Sequence, residues 1–147
     1  MIADDLTGIV LVLQWVLKQY GEKGIVYDDV CCIMPTKALL EPEDLKKGYE
    51  VYQKHQKIYT LLTVAKLTVP VEWAFCRDEE TILTPITPNA LSIRSQDLEK
   101  AYYEAGPFSY FNASQLLENN LQTNFVSYLV PQNGFSGSLK NIRSDGA

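Results

Sequence analysis

Histidine, cysteine and positive charge are all scarce in this sequence, and each scarcity removes a class of function. One histidine in 147 residues leaves no Ser-His-Asp set to write. That residue, His55, sits near Lys54 and Lys57 at an expected helix end and reads as solvated. Three cysteines support neither a disulfide framework nor a paired C-x-x-C zinc site, because Cys31 and Cys32 are neighbours and Cys76 stands alone. They read as ordinary buried or half-buried thiols. A formal net charge of -5 without a basic cluster argues against a duplex nucleic-acid binder, which must neutralise phosphates with a basic surface. The longest apolar run, Ile9 to Leu17 broken by Gln14, is far short of the roughly 20 residues of a membrane span. No charged region precedes it as in a signal peptide, so a cytoplasmic protein is expected. No Gly-rich phosphate loop of either common type is present.

What the sequence does contain is a core. Hydrophobic residues make up 46% and charged residues 21%, enough apolar surface for one soluble domain. Asp4, Asp5 and Thr7 offer capping side chains ahead of a helix running to Tyr20, apolar nearly all round, with Gly21 as its stop. Val30-Cys31-Cys32-Ile33, ended by Pro35, reads as a strand buried on both faces. A helix from Pro42 to His55 with Leu45, Tyr49 and Tyr52 facing inward follows, and Leu61 to Leu67 reads as a second buried strand. This β-α-β order implies an α/β fold with a mostly parallel sheet.

Beyond Pro70 the pattern changes. Val71–Cys76 and Thr81–Ile86 read as a hairpin across the charged turn Arg77 to Glu80. Arg94 to Tyr102 is polar and helix-compatible. Phe108–Phe111 is expected to be a strand, Asn112–Glu118 a short capped helix and Phe125–Val130 a last strand. From Gln132 to Ala147, Gly and Ser replace apolar residues and irregular structure is expected.

The acidic pairs Asp4-Asp5, Asp28-Asp29 and Glu79-Glu80 read as a cap, a strand entrance and a turn, since neighbours on a strand point to opposite faces and chelate poorly. Four stretches taken together carry more. They are Asp4-Asp5-Leu6-Thr7-Gly8; Cys31-Cys32-Ile33-Met34-Pro35-Thr36; Pro70 with Ala74; and Arg94-Ser95-Gln96-Asp97-Leu98-Glu99-Lys100-Ala101-Tyr102 followed by Ala105-Gly106. In this order and spacing the chain, over roughly residues 3 to 131, resembles the acylneuraminate (CMP-nonulosonic acid) cytidylyltransferase family, specifically its pseudaminic acid members. The resemblance implies a Rossmann-like nucleotide-diphospho-sugar transferase fold, a homodimer, and transfer of CMP from CTP to a nine-carbon keto-sugar acid with release of pyrophosphate. It divides the chain into a partial cytidylyltransferase domain, residues 1–131, whose 70–105 portion is a protruding hairpin and dimerisation segment, and an irregular tail, 132–147. It implies substrate-binding roles for Pro35, Thr36, Arg94, Gln96, Asp97, Tyr102 and Gly106. Arg94 could grip the sugar carboxylate bidentately or simply cap local carbonyls. Gln96 and Asp97 could bond sugar hydroxyls or amides, or brace the helix expected to follow. Gly106 could admit close approach of a ligand or form a turn.

Departures from the family pattern are equally specific. The family opens with an Arg-x-Gly-Ser-Lys type loop around the triphosphate, and this chain begins after that point. The family closes with an Asp-x-Asp pair for magnesium, where this chain offers only Asp145. Trp73 stands where pseudaminic members carry arginine, Met34 where the wider family has glutamine, and Pro107 and Ser109 where glutamine and tyrosine are usual. The expectation is therefore a chain without catalytic, cofactor or metal residues of its own. The alternative reading is an inactive remnant that dimerises or binds a sugar acid weakly. An uncovered sheet edge and a partly uncovered first helix are expected with it.

Overall fold

The computed structural model describes residues 2–34 and 40–130. A long helix α1 (Ile2–Glu22) leads into strand β1 (Asp29–Ile33), then α2 (Pro42–Lys54) and β2 (Thr60–Lys66). An excursion follows, with 3-10 turns at Val71–Trp73, Ala90–Ser92 and Ser95–Asp97 around the short strands β3 (Phe75–Arg77) and β4 (Leu83–Pro85). The chain then returns through β5 (Tyr102–Asn112), α3 (Ala113–Glu118) and β6 (Phe125–Leu129).

The main sheet has four strands in the order β1-β5-β2-β6, and β3-β4 form a separate two-stranded ribbon. β5 runs antiparallel to both β1 and β2, and β2 pairs parallel with β6. The expected mostly parallel sheet is thus corrected to a mixed, partly parallel one. The β1-α2-β2 reading is right about direction, since β1, β2 and β6 all point one way. It misses that the excursion sends β5 back between β1 and β2 in the opposite sense.

Two apolar layers cover the sheet. On one face Leu17 of α1 and Leu116 of α3 close over Phe111 and Ala113, with Leu6, Ile9, Leu13, Val30 and Cys32 alongside. On the other, α2 lays Tyr52, Leu45 and Tyr49 onto Leu61, Phe108, Tyr110, Val126 and Tyr128. β2 is buried on both faces, as its apolar run implies. β1 is not. It is an edge strand with Ile33 half-exposed and Cys31 exposed, and Cys76 is exposed on the ribbon. A continuous apolar run cannot distinguish an edge from a centre. Burial raises the half-buried Cys32 thiol above its ordinary range, which makes it a poor nucleophile.

Local chemistry explains the boundaries. α1 begins at Ile2, so Asp4, Asp5 and Thr7 lie inside it rather than ahead of it, and it runs one residue past Gly21. Gly24, at φ +79°, takes the left-handed turn beyond. Leu11, Val12 and Trp15 on the far side of α1 are exposed, Trp15 by 63%, and the outer edge of β1 has no strand partner among the described residues. α3 starts as its sequence indicates, with the Asn112 side-chain oxygen accepting from the Gln115 N–H at 3.1 Å. α2 can approach β5 closely because Gly48 lacks a side chain, and a Cβ there would lie 2.7 Å from the Phe108 ring.

The helix-compatible stretch Arg94–Tyr102 forms only a single 3-10 turn, Ser95–Asp97, followed by extended chain. β5 begins at Tyr102, six residues before its expected start. Its pairing with β2 slips between Leu62 and Val64, where residues 105–108 bulge opposite Thr63. Gly106 takes φ +76° in this bulge, Pro107 costs no ladder bond there, and the buried Thr63 hydroxyl donates to the Phe108 carbonyl at 2.9 Å. The tail, 132–147, lies outside the described residues.

Candidate functional site

Because β1, β2 and β6 point the same way, their carboxyl ends Ile33, Lys66 and Leu129 share one edge of the sheet. Open α/β sheets place ligands at such edges. A cleft of about 260 Å³ opens beyond the end of β2, between the chain leaving that strand (Lys66 to Pro70) and the segment entering β5 (Ser95 to Ala101). The ladder continues past both strands, with the Leu67 N–H donating to the Ala101 carbonyl at 2.9 Å. The cleft floor is therefore fixed by main-chain hydrogen bonds.

Of the sequence-predicted site residues, Gln96 lines this cleft. Tyr102 opens β5 directly opposite Lys66 and is exposed. Arg94 and Asp97 pair with each other across the 3-10 turn, Nε to Oδ2 at 3.2 Å, and Arg94 remains 74% exposed with its guanidinium outside the cleft lining. Gly106 lies four residues into β5, and its positive φ serves the bulge opposite Thr63. Pro35 and Thr36 lie outside the described residues. Trp73 donates its indole N–H to the Ala90 carbonyl at 3.1 Å, which ties the start of the excursion to its middle.

Sequence reasoning missed Lys66 and Lys100, both of which line the cleft. The signal available was weak, since each is one lysine in a polar stretch. Only the register brings them together. Ser95, Leu98 and Glu99 complete the polar and apolar lining on that side.

A second polar cluster lies under α2. Asp29 accepts from Lys57 Nζ at 2.8 Å, from the Tyr49 hydroxyl at 2.9 Å and from the Tyr52 hydroxyl at 3.2 Å. Tyr110 donates to the Leu45 carbonyl and Tyr128 to Asp44. Burial, then the Asp29 charge, holds the Tyr52 phenol well above the usual tyrosine range. Burial does the same for Tyr110, and burial with the Asp44 hydrogen bond pushes Tyr128 up to about 12. The Asp29 hydrogen bond keeps Lys57 protonated. The raised Tyr52, Tyr110 and Tyr128 phenols stay protonated at pH 7 and Lys57 is paired with Asp29, which fits clamping α2 to the sheet rather than proton transfer.

Among the described residues no group of three or more His, Cys, Asp or Glu is placed to hold a metal ion. No helix is long and apolar enough to cross a membrane. No family model matches the sequence. Two curated proteins do: a pseudaminic acid cytidylyltransferase of Campylobacter jejuni serotype O:2, 28% identical over 134 residues, and one of serotype O:23/36, 27% identical over the same length. The chain is similar to pseudaminic acid cytidylyltransferases. The similarity covers 90% of this chain and 57% of each relative, so the chain spans little more than half the length of the curated relatives that it matches.

Proposed function

We propose that the chain forms the sugar-acid side of a CMP-nonulosonic acid cytidylyltransferase, with pseudaminic acid or a related nine-carbon sugar acid seated in the cleft at the open end of the sheet. In the reaction of such an enzyme the anomeric hydroxyl attacks the α-phosphorus of CTP. A new C–O–P linkage forms, the bond between the α- and β-phosphates breaks, and pyrophosphate leaves. Catalysis of that step is mainly positioning and neutralisation of charge. The part this chain would play is positioning: a fixed floor from the Leu67–Ala101 hydrogen bond, polar groups from Gln96 and Ser95, and cations from Lys66 and Lys100.

The observation that carries the reading is the coincidence of two independent lines. Residues Ser95 to Ala101, within the stretch that bears the family resemblance, form one wall of the cleft at the carboxyl end of β2. A second copy of the chain is the partner we propose, through the exposed apolar residues of the ribbon and its flanks, among them Ile82, Leu83 and Ile86.

A second reading is a binding module without turnover, since the chain spans only 57% of each curated relative. Two assays separate the readings. Calorimetric titration with a panel of nonulosonic acids is expected to show saturable binding. Pyrophosphate release from CTP, magnesium and the acid that binds would support the enzyme, binding without release the module. No binding of any acid would overturn both.

A further inference from the structure

We infer that Lys66 and Lys100, rather than Arg94, supply the positive charge that holds the ligand's acidic group in the cleft; this rests on the proposed sugar-acid reading and names the anchor within it. The register fixes their relation. Lys66 stands opposite Tyr102 in the β2–β5 ladder, and the Leu67–Ala101 hydrogen bond extends that ladder by one step. Lys100 immediately precedes Ala101 at that step, and both lysines line the same cleft. A carboxylate or phosphate seated there can be shared between two flexible ammonium groups.

Charge balance points the same way. Neither lysine has an ion-pair partner among the described residues, and the cleft lining contains one carboxylate, Glu99, against these two cations. Two like charges in one cleft repel, and an anion between them removes the repulsion. Arg94 is differently placed. Its Nε is committed to Asp97, which neutralises it, and it is absent from the lining. Anchoring by two point charges would accept an acidic group in several orientations. A bidentate arginine fork would fix one.

The test compares N-acetylneuraminic acid with its uncharged methyl ester, and adds inorganic phosphate as a sugar-free probe, all by calorimetry on the whole chain. The acid is expected to bind more tightly than the ester. Lys66→Ala and Lys100→Ala should each weaken acid binding by about three- to fivefold, leave ester binding unchanged, and so erase the preference, with Lys66→Arg restoring most of it. Arg94→Ala should change acid binding by less than about twofold. Loss of the acid preference in Arg94→Ala, with both lysine variants unaffected, would overturn the inference and leave the sugar-acid reading standing. Lysine-dependent binding of phosphate without any binding of the acid would uphold the cation pair and sink the sugar reading. Failure of both acid and phosphate to bind would overturn both.

Discussion

The sheet and the excursion from Leu67 to Ala101 are built on different principles. In the sheet, Tyr52, Leu61, Phe108, Phe111 and Leu116 are almost wholly buried, and both faces are covered by helices. In the excursion only Ala90 is buried, while Val69, Val71, Ile82, Leu83, Ile86, Leu91 and Ile93 are exposed. Its order comes from turns and single hydrogen bonds, such as Ile86 N–H to the Ala74 carbonyl and Trp73 to Ala90. The cleft lies at the seam where the two meet, between the two ends of the excursion, with Lys66 at the end of β2 contributed by the sheet. The lesson is that stability resides in the sheet and recognition at its margin, where loops are carried by a rigid scaffold.

The largest expected contrast is between a core and a ribbon substitution. Leu61→Ala removes a fully buried side chain between Tyr52 and Phe108 and should lower unfolding stability by about 2–5 kcal/mol. Leu83→Ser on the ribbon should change it by no more than about 0.5 kcal/mol. Urea denaturation of both variants measures the pair, and comparable losses would erase the distinction drawn between the two regions. Next in size is Gly48→Ala. Overpacking against the Phe108 ring costs about 1–3 kcal/mol, whereas alanine is better than glycine in a helix by about 1 kcal/mol. A net loss is expected, and a gain in the same urea experiment would mean that α2 does not press on β5 at this point.

The smallest effect near neutrality, growing at high pH, comes from the tyrosine clamp. Tyr52, Tyr110, Tyr128 and Lys57 all have folded pKa values above their ordinary ones. The unfolded chain therefore releases these protons first, from about pH 10, and the contribution of these four groups to stability should be flat below that point and fall as pH rises through about 12. Tyr128→Phe should make the fall shallower, visible as a smaller shift of the urea midpoint between pH 9 and pH 11. An unchanged slope would show that Tyr128 titrates alike in both states.

Much of the sheet was legible because its signals are dense. β2, α2 and β6 follow from apolar runs and stripes bounded by Pro42, Pro70 and Pro131. The cap of α3 was readable from Asn112 alone. The errors fall where a local signal is ambiguous. Arg94–Tyr102 has helix-compatible residues but no apolar stripe, and propensity without burial seldom sustains a helix. Gly106 and Pro107 look like strand breakers, yet a bulge accommodates both, so the first half of β5 was unseen. The edge position of β1 depends on where β5 inserts, which no window of sequence around β1 encodes. For the site, the segment was found from its motif, whereas Lys66 and Lys100 required the pairing of two strands far apart in sequence, with Lys66 opposite Tyr102 and the Leu67 N–H on the Ala101 carbonyl.

The most direct measurement is amide chemical-shift mapping of the 15N-labelled chain titrated with a nonulosonic acid. The account predicts saturating shifts confined to Lys66–Pro70 and Ser95–Tyr102, with the α2 clamp around Asp29 and Tyr52 unmoved. Shifts centred away from this seam, or none at saturating acid, would contradict it.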